Sequence, residues 1–151
     1  MRALLDVNVL IALLDAGHVH HATAARWLDE HLRTGSTARW ASCPLTQNGC
    51  LRILSNRAYS SRAAAQPQPL AAVAARLSEA TRTAHHEFWP DDLSVLEPAH
   101  FASDRWLHSR QITDAYLLAL AVHRDGVFVT LDRGIDLSLA VGATPRHLVT
   151  L

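Results

Sequence analysis

The sequence predicts an α/β fold with a mainly parallel central sheet, and two stretches carry most of that expectation. Residues 112–134, ITDAYLLALAVHRDGVFVTLDRG, set an apolar helix directly before a short β-branched strand. Tyr116, Leu117, Leu118, Leu120, Ala121 and Val122 cover more than one face of that helix, which predicts a buried rather than a surface position. Val127, Phe128, Val129, Thr130 and Leu131 form a continuous run suited to a strand covered on both faces, as strands of parallel sheets are. At the other end of the chain, Ala3, Leu4 and Leu5 make a second short strand that leads into a helix over 9–14. With 151 residues, 49% of them hydrophobic, and zero net charge, the chain fits one globular domain over 1–151.

Taken in order, Asn8 predicts as the N-cap of the helix over 9–14, and Asp15 and Gly17 end it. His18, His20 and His21 lack a partner set for a metal and read as a solvated loop ahead of a helix over 21–33. Ala22, Ala25, Trp27, Leu28 and Leu32 give that helix an apolar stripe to cover the sheet or a partner subunit. Residues 37–41 read as a strand, and Pro44 opens a helix over 45–54 with Thr46, Gln47 and Asn48 in its first turns. Cys43 and Cys50 predict as small buried hydrophobes on one helix face and do not form a CxxC pair. The stretch 55–69, SNRAYSSRAAAQPQP, has no periodic face and predicts a mobile loop. Leu70, Val73, Ala74 and Leu77 make the next helix amphipathic, residues 85–89 read as a third strand, and Pro90 closes it. Asp91 and Asp92 fit a turn, Phe101, Trp106 and Leu107 a helix, and residues 148–151 a last short strand.

Three acids stand at matching places in this pattern. Asp6 follows the first strand, Asp132 follows the run over 127–131, and Asp114 opens the apolar helix. In an open parallel sheet, ligands bind beyond the carboxyl ends of the strands, where a helix N-terminus adds free N–H groups. One Asp after a strand is an ordinary turn residue. Three at one edge raise one another's pKa and cost stability unless a cation sits among them. No thiolate or histidine stands at zinc-ligand spacing, so an all-oxygen site for Mg²⁺ or Mn²⁺ is expected. Asn8 and Thr130 are positioned to orient the carboxylates, and Asp136, four residues past Asp132, can approach them.

The blocks LLDVNVLIALL, ITDAYLLALA and VFVTLDRG, in this order over residues 3 to 134, resemble the three acidic blocks of the PIN-domain nucleases, especially the VapC-type toxins of bacterial toxin–antitoxin pairs. The resemblance implies a PIN-like three-layer α/β/α sandwich and Mg²⁺- or Mn²⁺-dependent endoribonuclease action on RNA. It implies that Asp6, Asp114 and Asp132 are the catalytic and metal-binding residues, that the chain is a homodimer, and that a cognate VapB-like antitoxin inhibits it. Family members usually carry a glutamate within a pattern like LTxxGxxR, where this chain reads LTQNGCLR. Gln47 is the best match and Asn48 the next, and either amide oxygen can ligate a metal or orient its water without adding charge. Arg52 reads equally as an RNA-phosphate contact or a surface residue, and Arg57, Tyr59 and Arg62 as an RNA grip or an exposed loop.

The loss of a charge at position 47 defines the rival reading, a catalytically impaired PIN domain that acts by binding RNA or protein. DVNVL also resembles the DxDxT nucleophile motif of haloacid-dehalogenase-like phosphatases, but Asn8 replaces its second Asp and the chain has no lysine. All fourteen basic residues are Arg, which suits phosphate, although net neutrality argues against a large basic footprint. No run approaches the roughly eighteen apolar residues of a membrane span, and Met1-Arg2 leads straight into a strand, so a cytoplasmic protein is expected.

Overall fold

The computed structural model describes residues 1–59, 68–106 and 108–151. Strands β1 (Arg2–Leu5), β2 (Arg39–Ser42), β3 (His86–Phe88), β4 (Val127–Thr130) and β5 (Leu148–Thr150) form one sheet in the order β3-β2-β1-β4-β5. Every neighbouring pair is parallel. Helices α1 (Val7–Leu14), α2 (His21–Arg33), α3 (Pro44–Leu54), α4 (Leu70–Thr81) and α5 (Gln111–His123) supply the crossovers.

Strand alternation sorts the core into two layers. Ala3, Leu5, Trp40, Val127 and Val129 pack with Val9 and Ala12 of α1, Ala24 of α2, Leu54 of α3 and Val73 of α4. Leu4, Ala41 and Phe128 pack with Leu117 and Leu120 of α5, together with Trp89 and Phe101. The result is an α/β/α sandwich. Helix α5 is buried at every position from 115 to 121, and β4 is buried throughout, as the unbroken apolar runs require.

The turn from α5 to β4 is tightly constrained. Asp125 takes a positive φ of 50°, and Gly126 N–H returns to the Ala121 carbonyl at 2.8 Å. A Cβ at Gly126 would lie 2.6 Å from the Trp89 ring and 2.8 Å from the Arg2 carbonyl, so only glycine lets these backbones meet.

Several expectations need correction. The N-cap of α1 is Asp6, not Asn8: its Oδ1 accepts from Val7 N–H at 2.6 Å, and the helix begins two residues earlier than expected. Strand β2 starts at Arg39 instead of residue 37. No helix forms around Phe101 and Trp106 beyond a 3₁₀ turn at Ser103–Arg105, because tertiary pairing takes those groups: Phe101 bridges Ala140, and Trp106 Nε1 donates to the Leu139 carbonyl at 3.3 Å. Cys43 and Cys50 do not share a helix face. Cys43 precedes α3 and packs in the α5 layer, whereas Cys50 packs in the opposite layer. Both are free and buried, and burial pushes each thiol up to about 11. Asp91 and Asp92 diverge as expected: Asp91 accepts from Leu45 N–H at the start of α3, and Asp92 pairs with Arg124 at 2.5 Å. Residues 60–67 of the expected loop, with Arg62, and Leu107 lie outside the described residues. Among the described residues, no helix is long and apolar enough to cross a membrane.

Candidate active site

The strand order creates the site. From β1 the chain builds outward through β2 to β3, then crosses back to β4 on the other flank of β1. The carboxyl ends of β1 and β4 therefore border the crevice where connections leave in opposite directions, the place where open parallel sheets bind ligands. Asp6 follows β1 directly, and Asp132 lies two residues past the end of β4. Asp114 sits in the first turn of α5.

A single hydroxyl ties the first two acids together. Thr130 is fully buried at the end of β4, and its Oγ1 donates to Asp6 Oδ2 at 2.6 Å. The same oxygen accepts from Asp132 N–H at 3.0 Å and from Asn8 Nδ2 at 3.2 Å. Asn8 Oδ1 in turn accepts from Leu131 N–H at 3.1 Å, so the first turn of α1 is stitched to the segment carrying Asp132. Beyond it, Asp132 Oδ1 accepts from Gly134 N–H at 2.7 Å. Asp6 is 6% exposed and Asp132 is exposed, so the site runs from a rigid buried acid to a solvent-facing one.

The charges feel one another. Burial raises the Asp6 carboxyl above its usual range, and the Asp132 carboxylate adds to the rise; the bonds from Thr130, Val7 and Asn8 work against it. Burial first, then the charges of Asp6 and Asp132, push Asp114 up from 3.8 to about 6. Three acids that repel one another at a sheet edge are stabilised by any positive charge brought near them. The donors are all oxygens, which fits a hard divalent ion. Among the described residues, no group of three or more His, Cys, Asp or Glu side chains is spaced to hold a metal ion together. Mg²⁺ keeps several waters, through which carboxylates can also hold it.

The other expected residues make different contacts. Asp136 caps the 3₁₀ turn at Leu137–Leu139 by accepting from Ser138 N–H. Gln47 faces the α4 side of α3, and its Nε2 donates to Ser42 Oγ at 2.9 Å; no described hydrogen bond joins it to the three acids. Asn48, Arg52 and Arg57 are exposed. Two polar pairs escaped the sequence reading because their partners are distant in the chain: Ser42 with His86, and Tyr59 with Asp15.

The PIN domain model matches residues 3–137, which takes in all three acids. The chain belongs to the PIN domain family. This PIN chain is 47% identical to Ribonuclease VapC44 of Mycobacterium tuberculosis over 151 residues, covering 100% of both chains. Its fold is shared with the crystal structure of VapC20 of Mycobacterium tuberculosis, described as a sarcin–ricin loop cleaving toxin, at a TM-score of 0.56 and 14% identity over 82% of this chain and 84% of that one. The same fold recurs in VapBC2 of Rickettsia felis bound to a promoter DNA fragment, at a TM-score of 0.54 and 11% identity over 87% of this chain and 89% of that one.

Proposed function

We propose that this PIN domain is a metal-dependent endoribonuclease, the toxin of a VapBC-type toxin–antitoxin pair, with Asp6, Asp114 and Asp132 as its catalytic and metal-binding residues. The observation that carries the reading is the gathering of the three acids at the crevice between β1 and β4, where burial first and then the charges of Asp6 and Asp132 lift Asp114 to about 6. The relative named Ribonuclease VapC44, alike over the full chain, supports the same activity.

Asp6, Asp114 and Asp132 would hold Mg²⁺ or Mn²⁺, and the bound ion would supply Lewis-acid polarisation of the phosphodiester and a water of lowered pKa. The protein's own part is to fix the donors. Thr130 locks the Asp6 carboxylate and, through Asp132 N–H, the turn beyond β4; Asn8 secures both from α1. The first-turn N–H groups of α5 add positive potential beside Asp114, where the phosphate charge arrives. No protein nucleophile is needed, because water attacks the phosphorus. Arg52 and Arg57, exposed on and after the last turn of α3, are candidates for contacts along the RNA backbone.

A VapB-like antitoxin is the expected protein partner, and the VapBC2 assembly supports it. A cleft of about 350 Å³ lined by Leu10, Leu14, Leu28, Leu32 and Trp40 gives an amphipathic segment apolar surface to cover. A basic side chain from that partner would neutralise the carboxylates in competition with metal. A homodimer in the cytoplasm completes the proposal.

Induced expression of the chain should arrest growth and create new RNA 5′ ends, read by end sequencing, and co-expression of the neighbouring small gene should suppress both. Tight RNA binding without new ends would favour an impaired domain that acts by binding.

A further inference from the structure

We propose that Gln47 is a base-reading group, presenting its amide oxygen as a fixed hydrogen-bond acceptor to a nucleobase of the RNA substrate, with Ser42 and His86 as the residues that position it. The inference rests on the ribonuclease reading and deepens it.

The argument begins with a directed chain of hydrogen bonds. Gln47 Nε2 donates to Ser42 Oγ at 2.9 Å, and Ser42 Oγ lies 2.8 Å from His86 Nε2. Ser42 is fully buried, so its one proton must be used within the protein. Since its oxygen already accepts from Gln47, that proton goes to His86, and Nε2 must then be the unprotonated ring nitrogen. The Thr81 backbone favours the protonated ring. Burial is the larger influence and holds His86 neutral, with Glu87 opposing it more weakly. A neutral His86 with its proton on Nδ1 is thus the form consistent with the Gln47 amide as it sits. The nitrogen points to Ser42, and Oε1 is left as the outward group.

Among the described residues that oxygen has no hydrogen-bond partner, and Gln47 is half-buried. Gln47 lines a cavity of about 230 Å³ with Leu51, Ala74, Leu77, Ser78 and Thr81. A lining that mixes apolar side chains with an acceptor and two hydroxyl residues suits a flat base whose edge carries N–H donors, the manner in which unstacked RNA bases are read. Its position relative to the acids is also suitable. Leu4 pairs with Ala41, so Leu5 and Ser42 end adjacent strands side by side, roughly 5 Å apart, with Asp6 next in the chain. A strand of RNA held at the carboxylates can thus set a flanking base against Gln47.

Position 47 also explains why an amide, and not a carboxylate, suits this chain. A carboxylate there would confront Ser42 with two acceptors and one proton, unless His86 took up a second proton and donated from Nε2.

The test measures binding of short single-stranded RNA pools, randomised one position at a time, to the metal-free protein in chelator. Wild type is expected to prefer particular bases at one position. Gln47→Leu, folded by circular dichroism, is expected to flatten that preference and weaken binding of the preferred RNA about five- to tenfold, the loss of one hydrogen bond. In ¹⁵N spectra, His86 should be the neutral Nδ1–H form in wild type, and Gln47→Glu should raise its titration midpoint. Binding without base preference, preference unchanged in Gln47→Leu, or an Nε2–H tautomer in wild type would overturn the base-reading role and leave the ribonuclease reading intact. Failure of folded wild type to bind RNA, in chelator and with Mg²⁺ alike, would overturn both.

Discussion

Replacing Asp114 by Asn should make the metal-free protein more stable at pH 8, an uncommon result for a site residue. The Asp114 carboxyl is raised from 3.8 to about 6, first by burial and then by Asp6 and Asp132. A raised carboxyl binds its proton more tightly in the folded state, so between those two values stability falls as pH climbs, and the penalty is complete above pH 6. At about 1.36 kcal/mol per pH unit the rise corresponds to roughly 3 kcal/mol. Asp114 is partly exposed, so solvent screening cuts this to about 1.5 kcal/mol. Losing a negative charge in the first turn of α5 costs back about 0.3–1 kcal/mol. The net gain is then on the order of 1 kcal/mol, or roughly 2–4 °C in melting temperature for a chain of this size. Thermal denaturation in chelator should show this gain at pH 8, little of it at pH 4 and none well below 3.8, where the carboxyl is protonated in both states. Adding Mn²⁺ should reverse the order, because only wild type keeps all three carboxylates for binding. A variant less stable than wild type at pH 8 in chelator, or equally stabilised at pH 4, would refute the repulsive-cluster argument.

Other outcomes follow from single contacts. Thr130→Val strips the buried bond to Asp6 and the acceptor of Asp132 N–H and Asn8, which should cost about 2–4 kcal/mol in urea denaturation and weaken Mn²⁺ binding by calorimetry. Gly126→Ala drives a methyl group into Trp89 and the Arg2 carbonyl and should destabilise by about 1–3 kcal/mol, by the same denaturation assay, without altering metal affinity. Tyr59→Phe removes the 2.6 Å bond to Asp15 at the end of α1 and should cost about 1–2 kcal/mol, with faster amide exchange around residues 56–59.

Much of the frame was legible in the sequence because it rests on local pattern. The apolar runs of α5 and β4 could only be buried elements, and Asp6, Asp114 and Asp132 fell at recognisable strand and helix ends. The sequence erred where a side chain had two local options and a distant partner decided. Asn8 and Asp6 can both cap a helix; Asn8 is drawn to Thr130 and Leu131, more than a hundred residues away, and Asp6 takes the cap. The segment with Phe101 and Trp106 predicts a helix but finds Ala140 and Leu139 instead. The partners of Gln47 were not legible at all: its amide donates to Ser42, and His86 behind it belongs to a strand that sequence cannot register against β2. The two thiols illustrate the same limit, since a spacing of seven implies one face only if both residues are helical, and Cys43 lies before the helix.

The most direct test is cleavage of single-stranded RNA by the purified protein across a Mn²⁺ series, with wild type, Asp6→Asn and Asp114→Asn compared after folding has been verified. Cleavage by wild type that rises with metal, vanishes in chelator and is lost in both variants is the predicted result. Cleavage that persists in chelator, or survives loss of either carboxylate, would contradict a metal-dependent site built on these acids.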